Sequence, residues 1–244
     1  MHALSASELL GVWEHGLAQR PIERALTLLA TTLPGTPLDD LARLSIGQRD
    51  AGLLSLREQN FGPQLVCLTK CTNCGERLEL SFMVSDLRVA PDVEAPTELS
   101  LRVDDYEVEF RLPDSFALLA VADSRDVTTA RALLLERCLR RVRKGDEPCT
   151  ARELPQSVTD AVVERMAQAD PQADVQLALA CPLCRHEWQT AFDIGSFVWT
   201  EINVWASRTL HDVHTLAAAY GWSEREILGL SSRRRQAYLE MIHR

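Results

Sequence analysis

The sequence predicts an α+β fold, with helical N-terminal and C-terminal segments around a small antiparallel β module that carries a hairpin-plus-helices insertion. Three observations predict it. The first sixty residues and the last fifty carry apolar residues at helical spacing. Two C-x-x-C pairs, Cys71-Thr72-Asn73-Cys74 and Cys181-Pro182-Leu183-Cys184, stand more than a hundred residues apart. Each pair is flanked by period-two alternation: Val66 and Leu68 enter the first and Leu78, Leu80 and Phe82 leave it, while Val175, Leu177 and Leu179 enter the second and Trp188 and Phe192 leave it. Alternation of that kind marks strands, so each pair reads as the tip of a β-hairpin. Two such tips facing each other place four sulfurs on one cation, which is a zinc-ribbon-like arrangement.

The N-terminal helical segment is expected over 1–62. Ser5 and Glu8 have capping-box spacing ahead of Leu9, Leu10, Trp13 and Leu17. Pro21 opens a second helix through Ile22, Ala25, Leu26, Leu28 and Leu29, and Pro34-Gly35 stops it. A short helix through Leu38, Leu41 and Leu44 follows. Ser45 and Gln48 then start a helix that runs to about Asn60, with Gly62-Pro63 as the break.

The β module is expected over 63–193, with its hooks at 64–84 and 175–193 and the insertion at 85–174. Strand Arg77–Val84 leads into an acidic, proline-marked loop, Asp86–Glu98. Leu101 and Val103, a turn at Asp104-Asp105, and Tyr106, Val108, Phe110 and Leu112 form a hairpin pattern. Asp114 caps a helix through Phe116, Leu118, Leu119 and Val121. Ser124 is expected to cap the next, which carries Ala132, Leu133, Leu135, Cys138, Leu139 and Val142. The basic run Arg140-Arg141-Val142-Arg143-Lys144 with Gly145 after it reads as that helix's C-terminal end, where cations meet the helix dipole. A third helix, about Pro155 to Ala169, returns the chain to the second hook.

The C-terminal helical segment is expected over 194–244. Phe197, Val198, Ile202 and Trp205 form its first apolar stripe, and Gly221 ends that helix. Trp222-Ser223-Glu224-Arg225-Glu226-Ile227 is a full helix start, with Trp222 stapled onto Ile227. Ser231 opens the last helix. His211 and His214 lie three apart with no third ligand nearby and read as surface residues.

The expected metal ligands are Cys71, Cys74, Cys181 and Cys184, and the expected metal is zinc. Iron suits four thiolates too, but nothing else in the chain suggests electron transfer. A redox dithiol sits at a strand-to-helix junction, whereas Cys184 is followed by another strand. Four thiolates around a divalent ion leave about two negative charges, and Lys70, Arg77 and Arg185 are placed to offset them. His186 can replace a ligand, but the second pair is complete without it. Cys67, Cys138 and Cys149 lack this spacing, and Cys138 reads as core. A closed four-sulfur site has no open coordination position, so it stabilises and does not catalyse. With no Gly-rich phosphate loop, Gly-x-Ser-x-Gly or His-Glu-x-x-His in the chain, no enzyme is expected.

The net charge of −9 argues against general nucleic-acid binding. Seven cysteines, an odd number with four in C-x-x-C pairs, suit a reducing compartment. No apolar run reaches membrane-spanning length, and the N-terminus does not read as a signal peptide. A cytoplasmic location in the producing cell is expected.

The stretch Leu216-Ala217-Ala218-Ala219-Tyr220-Gly221-Trp222-Ser223-Glu224-Arg225-Glu226-Ile227-Leu228, followed by Arg233-Arg234-Arg235-Gln236-Ala237-Tyr238-Leu239, resembles the tail of the baseplate hub and baseplate assembly proteins of contractile-tailed phages and phage-tail-like injection systems. Asp114–Leu139 is also similar to larger members. The four-cysteine site stands as an addition to that pattern. The resemblance implies a structural or assembly component, partnered by baseplate or tail-hub proteins, that either helps build the tail-like particle or is incorporated into it. Arg233, Arg234 and Tyr238 have the composition of interface anchors and are the candidate partner-binding residues. The alternative from the cysteine pattern is a zinc-ribbon adaptor that binds nucleic acid or transcription machinery.

Overall fold

The computed structural model describes residues 2–89 and 98–242. Its first body is helical. Helix α1 (Ala6–Gly16) starts on the Ser5/Glu8 capping box, and α2 (Pro21–Thr32) starts on Pro21. The short α3 (Leu38–Ala42) precedes α4 (Ile46–Phe61), which starts on the Ser45/Gln48 box and ends at Gly62 with φ 86°. These ends are set by local chemistry, since a side-chain oxygen satisfies N–H groups that the helix leaves unpaired. Leu28, Leu29, Leu53, Leu54 and Leu56 point inward and form the main core.

Strands β1 (Gln64–Lys70) and β2 (Arg77–Met83) form the first hairpin, with Lys70 opposite Arg77. The second strand ends one residue sooner than expected. The Val84 N–H donates to the Pro63 carbonyl at 2.8 Å, and Val84 opens the short α5 (Val84–Leu87), which buries Val84 and Leu87 in the main core. Most of the expected loop at 86–98 lies outside the described residues.

The insertion holds a four-stranded antiparallel sheet in the order β3 (Leu99–Val103), β4 (Tyr106–Phe110), β5 (Leu139–Lys144), β6 (Glu147–Pro148). Between β4 and β5 lie α6 (Ser115–Val121), capped by Asp114, and α7 (Val127–Cys138), capped by Asp126 instead of Ser124. Here the structure corrects the expectation of one long helix through Val142. The helix stops at Cys138, and the basic run is strand β5, with Val142 opposite Val108 and Leu139 opposite Phe110. The unpaired edge of β4 and the apolar layer beneath it outweigh the local helical pattern. On the outer face Arg141 pairs with Glu109 and Arg143 sits across from Glu107. Gly145, at φ 57°, is the turn between β5 and β6, not a helix end. Helix α8 (Gln156–Ala169) covers the inner face through Val158 and Val162.

Buried or backbone polar contacts seat the insertion on the first body. The Asp170 carboxylate accepts from the Gly47 N–H at 2.9 Å, at the start of α4. A β-carbon at Gly47 would lie 1.9 Å from an Asp170 side-chain oxygen, so a larger residue there must displace the carboxylate that holds this contact. The Ile46 N–H donates to the Pro113 carbonyl at 3.1 Å.

Strands β7 (Gln176–Ala180) and β8 (Glu187–Ala191) form the second hairpin, and α9 (Ile194–Tyr220) follows. The first half of this helix buries Ile194, Val198 and Ile202 in the main core. There Arg57, 3% exposed, donates from Nε and Nη2 to the two carboxylate oxygens of Glu201, each at 2.8 Å. The second half of α9 packs Val213 and Leu216 against α10 (Glu224–Leu228) and α11 (Ser232–Ile242), forming a separate small core with Ile227 and Leu239. Gly221 ends α9 at φ 70°. Among the described residues no helix is long and apolar enough to cross a membrane.

Candidate metal centre

The two hooks are built alike. In the first, the Cys71 N–H donates to the Glu76 carbonyl at 2.8 Å and the Gly75 N–H to the Cys71 carbonyl at 3.0 Å. In the second, the Cys181 N–H donates to the His186 carbonyl at 2.9 Å and the Arg185 N–H to the Cys181 carbonyl at 2.9 Å. The residue after each pair takes the left-handed conformation, Gly75 at φ 76° and Arg185 at φ 59°. Glycine adopts it freely, whereas an L side chain costs about 1–2 kcal/mol. Gly75→Ala should therefore lower stability by about 1 kcal/mol, and Arg185→Gly should raise it by up to about 1 kcal/mol. Urea unfolding of both variants checks this opposition of sign.

The tips meet. The sulfur of Cys71 lies 3.6 Å from that of Cys184, and the sulfur of Cys74 lies 3.7 Å from that of Cys181. All four sulfurs are within 4.8 Å of one another, and no other cluster of His, Cys, Asp or Glu among the described residues is arranged to hold an ion. A tetrahedron with metal–sulfur bonds of ~2.3 Å has edges of ~3.8 Å, so both spacing and donor set fit a tetrahedral ion. Cys71 and Cys181 are buried at 3% and 2% exposure, packed with Leu78 and Trp188, while Cys74 faces solvent.

The sulfurs are electrostatically unequal. The backbone N–H of His186, then the Asn73 side chain, whose Nδ2 lies 3.6 Å from the sulfur, bring the Cys184 thiol down to about 6. At Cys74 the Glu76 backbone N–H lowers the thiol, but desolvation and the three neighbouring sulfurs overcome it and push it up to about 12. Without a cation, such a cluster ionises unevenly, because several thiolates cannot share one small space.

His186 is not needed as a ligand. Its Nε2 lies 3.0 Å from Thr72 Oγ1 and its ring stacks on Trp188 at 5.8 Å, so it braces one hook against the other. Lys70, Arg77 and Arg185 are exposed around the tips and form no ion pair among the described residues. Cys138 is fully buried, and burial pushes its thiol up to about 11, as suits a core position. His211 and His214 are exposed on α9.

At the far end of the chain, Arg233 and Arg234 are exposed and Tyr238 is half-buried, its ring edge-on to Trp222 at 4.9 Å. Composition alone does not separate Arg235 from the other arginines of this run. Arg235 is buried and donates from Nη1 to the Leu230 carbonyl at 2.8 Å, holding the turn between α10 and α11. Its i,i+4 spacing to buried Leu239 was the available signal.

A family described as T4 bacteriophage base plate protein matches residues 18–199. That span runs from the loop after α1 into the start of α9 and includes both hooks, the insertion and all four cysteines. It includes Asp114–Leu139 but not the C-terminal stretch Leu216–Leu239 that carries most of the sequence resemblance. The unmatched stretch is the part that packs into its own small core. Nothing matches among curated proteins or among solved structures.

Proposed function

Because the chain belongs to the T4 bacteriophage base plate protein family, we propose that it is a non-enzymatic structural or assembly component of the baseplate of a contractile phage tail or phage-tail-like injection system. The observation that carries the reading is the family match over both hooks, the same hooks whose four sulfurs converge. In this reading Cys71, Cys74, Cys181 and Cys184 hold a structural zinc ion. The ion supplies a cross-link that fixes the two hairpins, and with them the base of the insertion, as one unit. The N-terminal helical segment (1–62), the ribbon module (63–193) and the C-terminal segment (194–244) act together, and the protein ends up in the particle after synthesis in the cytoplasm. Arg233, Arg234 and the open edge of Tyr238 are the proposed contacts of the C-terminal segment with a baseplate or hub protein.

Metal analysis of chelator-free protein should give about one zinc per chain, and colourless protein excludes iron. Tagged full-length chain should co-purify with tail particles, and a chain truncated after Gly229 should keep its metal but lose that association. Normal particle association by the truncated chain would remove the C-terminal contacts from the reading. A full-length chain that never accompanies particle or tail components would overturn the reading itself.

A further inference from the structure

A groove of about 1000 Å³ runs between the two hairpins and α9. Its walls include Leu80, Leu177, Leu179 and Phe192, and Val204 and Trp205 of α9 close its floor. Four consecutive residues of β1, Val66 to Thr69, line it, so it follows the edge of that strand. Among the described residues the edge has no strand partner, because β1 and β2 form a two-stranded sheet. The bonds Val84 N–H to Pro63 and Cys71 N–H to Glu76 fix the register. Pro63, Leu65, Cys67, Thr69 and Cys71 are therefore the positions bonded to β2. The N–H and C=O groups of Val66, Leu68 and Lys70 point away from β2, toward the open edge. At the same positions Val66 is 49% and Leu68 66% exposed. An open edge flanked by exposed apolar side chains is a template for another strand.

The groove adjoins a second concavity of about 490 Å³ lined by Leu68, Thr69, Lys70 and Arg77. Lys70 and Arg77 are directly opposite across the hairpin, and like charges so placed destabilise the pair. Glu76 and Glu79 lie on either side of Arg77 in sequence, yet neither Lys70 nor Arg77 is in an ion pair among the described residues. Glu79, Asp193, Glu201 and Arg208 also line the groove, so in a chain of net charge −9 two facing cations at its end are a local inversion of sign.

We propose that this groove takes an extended segment of a partner protein, which pairs with the open edge of β1, lays alternate apolar side chains into the groove and ends in acidic residues against Lys70 and Arg77. The inference rests on the reading of the chain as an assembly component and names the surface that serves it. Apolar burial supplies most of the affinity and the cationic end fixes direction and register.

The test uses full-length, metal-loaded chain and a labelled eight-residue peptide, Val-Thr-Val-Thr-Val-Thr-Asp-Asp, with a version ending in Lys-Lys as control. Fluorescence anisotropy should show the acidic peptide binding at least tenfold more tightly. Lys70→Glu with Arg77→Glu should abolish that preference, and Lys70→Arg with Arg77→Lys should retain it. Unchanged zinc content and thermal midpoint would show that both double variants are folded. No binding of either peptide at millimolar concentration overturns the proposal, as does binding indifferent to charge reversal. Tighter binding of a single-stranded oligonucleotide, lost on the same reversal, assigns the surface to nucleic acid instead. Peptide binding by a chain that never joins tail particles would leave the groove standing and overturn the baseplate reading alone.

Discussion

Cys71→Ser and Cys181→Ser should each lower stability by about 3–5 kcal/mol and abolish stoichiometric zinc binding. The argument starts from chain entropy. The hooks are 107 residues apart at the Cys74–Cys181 contact, and holding together the ends of so long a loop is worth on the order of 4–5 kcal/mol. Both residues are buried beside Leu78 and Trp188, so a hydroxyl in place of either sulfur also leaves a polar group in an apolar pocket. For a chain of this size the thermal midpoint should fall by roughly 6–20 °C. Cys138→Ala, which removes one buried sulfur and no cross-link, should cost about 1–2 kcal/mol and leave zinc content unchanged. Equal thermal midpoints for the three variants would contradict a structural role for the sulfur site.

Glu201→Ala should be nearly as damaging, at about 3 kcal/mol or more. Glu201 is half-exposed at the groove, but its partner is not: the Arg57 guanidinium is buried, with a further bond to the Gly62 carbonyl and Phe197 beneath it. Removing the carboxylate leaves a positive charge in the main core with only a carbonyl to meet it. Arg57→Met with Glu201→Leu should recover most of the loss, because a well-packed apolar pair replaces a buried ion pair at little cost. Urea denaturation of the single and double variants measures the difference. A single variant that matches the unmodified protein would show that water reaches Arg57.

The elements legible in the sequence are those decided within a few residues. The capping boxes at Ser5, Ser45 and Ser223 all form because each needs a glutamate or glutamine three positions on. The hooks were legible because two residues between cysteines and alternation outside them describe a hairpin tip completely. Strand β5 was not. Its residues carry a helical pattern, and only the edge of β4, about thirty residues earlier, makes Leu139–Lys144 a strand. The contacts of Arg57 with Glu201 and of Asp170 with Gly47 span 144 and 123 residues, and no local pattern announces a polar partner that distant. The convergence of the two hooks was inferred from donor chemistry, whereas the groove beside them depends on how the hairpins sit on α9.

The distance between the hooks also sets a timetable. A chain made at ~5–20 residues per second exposes Cys71 and Cys74 roughly 5–20 s before Cys181 and Cys184, since 107 residues separate Cys74 from Cys181. For that interval the first hook is a lone dithiol, open to oxidation and to capture of a softer ion than zinc. The insertion is synthesised within the same interval and can fold before the ring closes, since its sheet and α8 enclose a core of their own. Arrival of the second hook is then the step at which ion, hairpins and insertion are locked together. Copper or cadmium stress during synthesis, more than after it, is the condition under which the yield of correctly closed protein should fall.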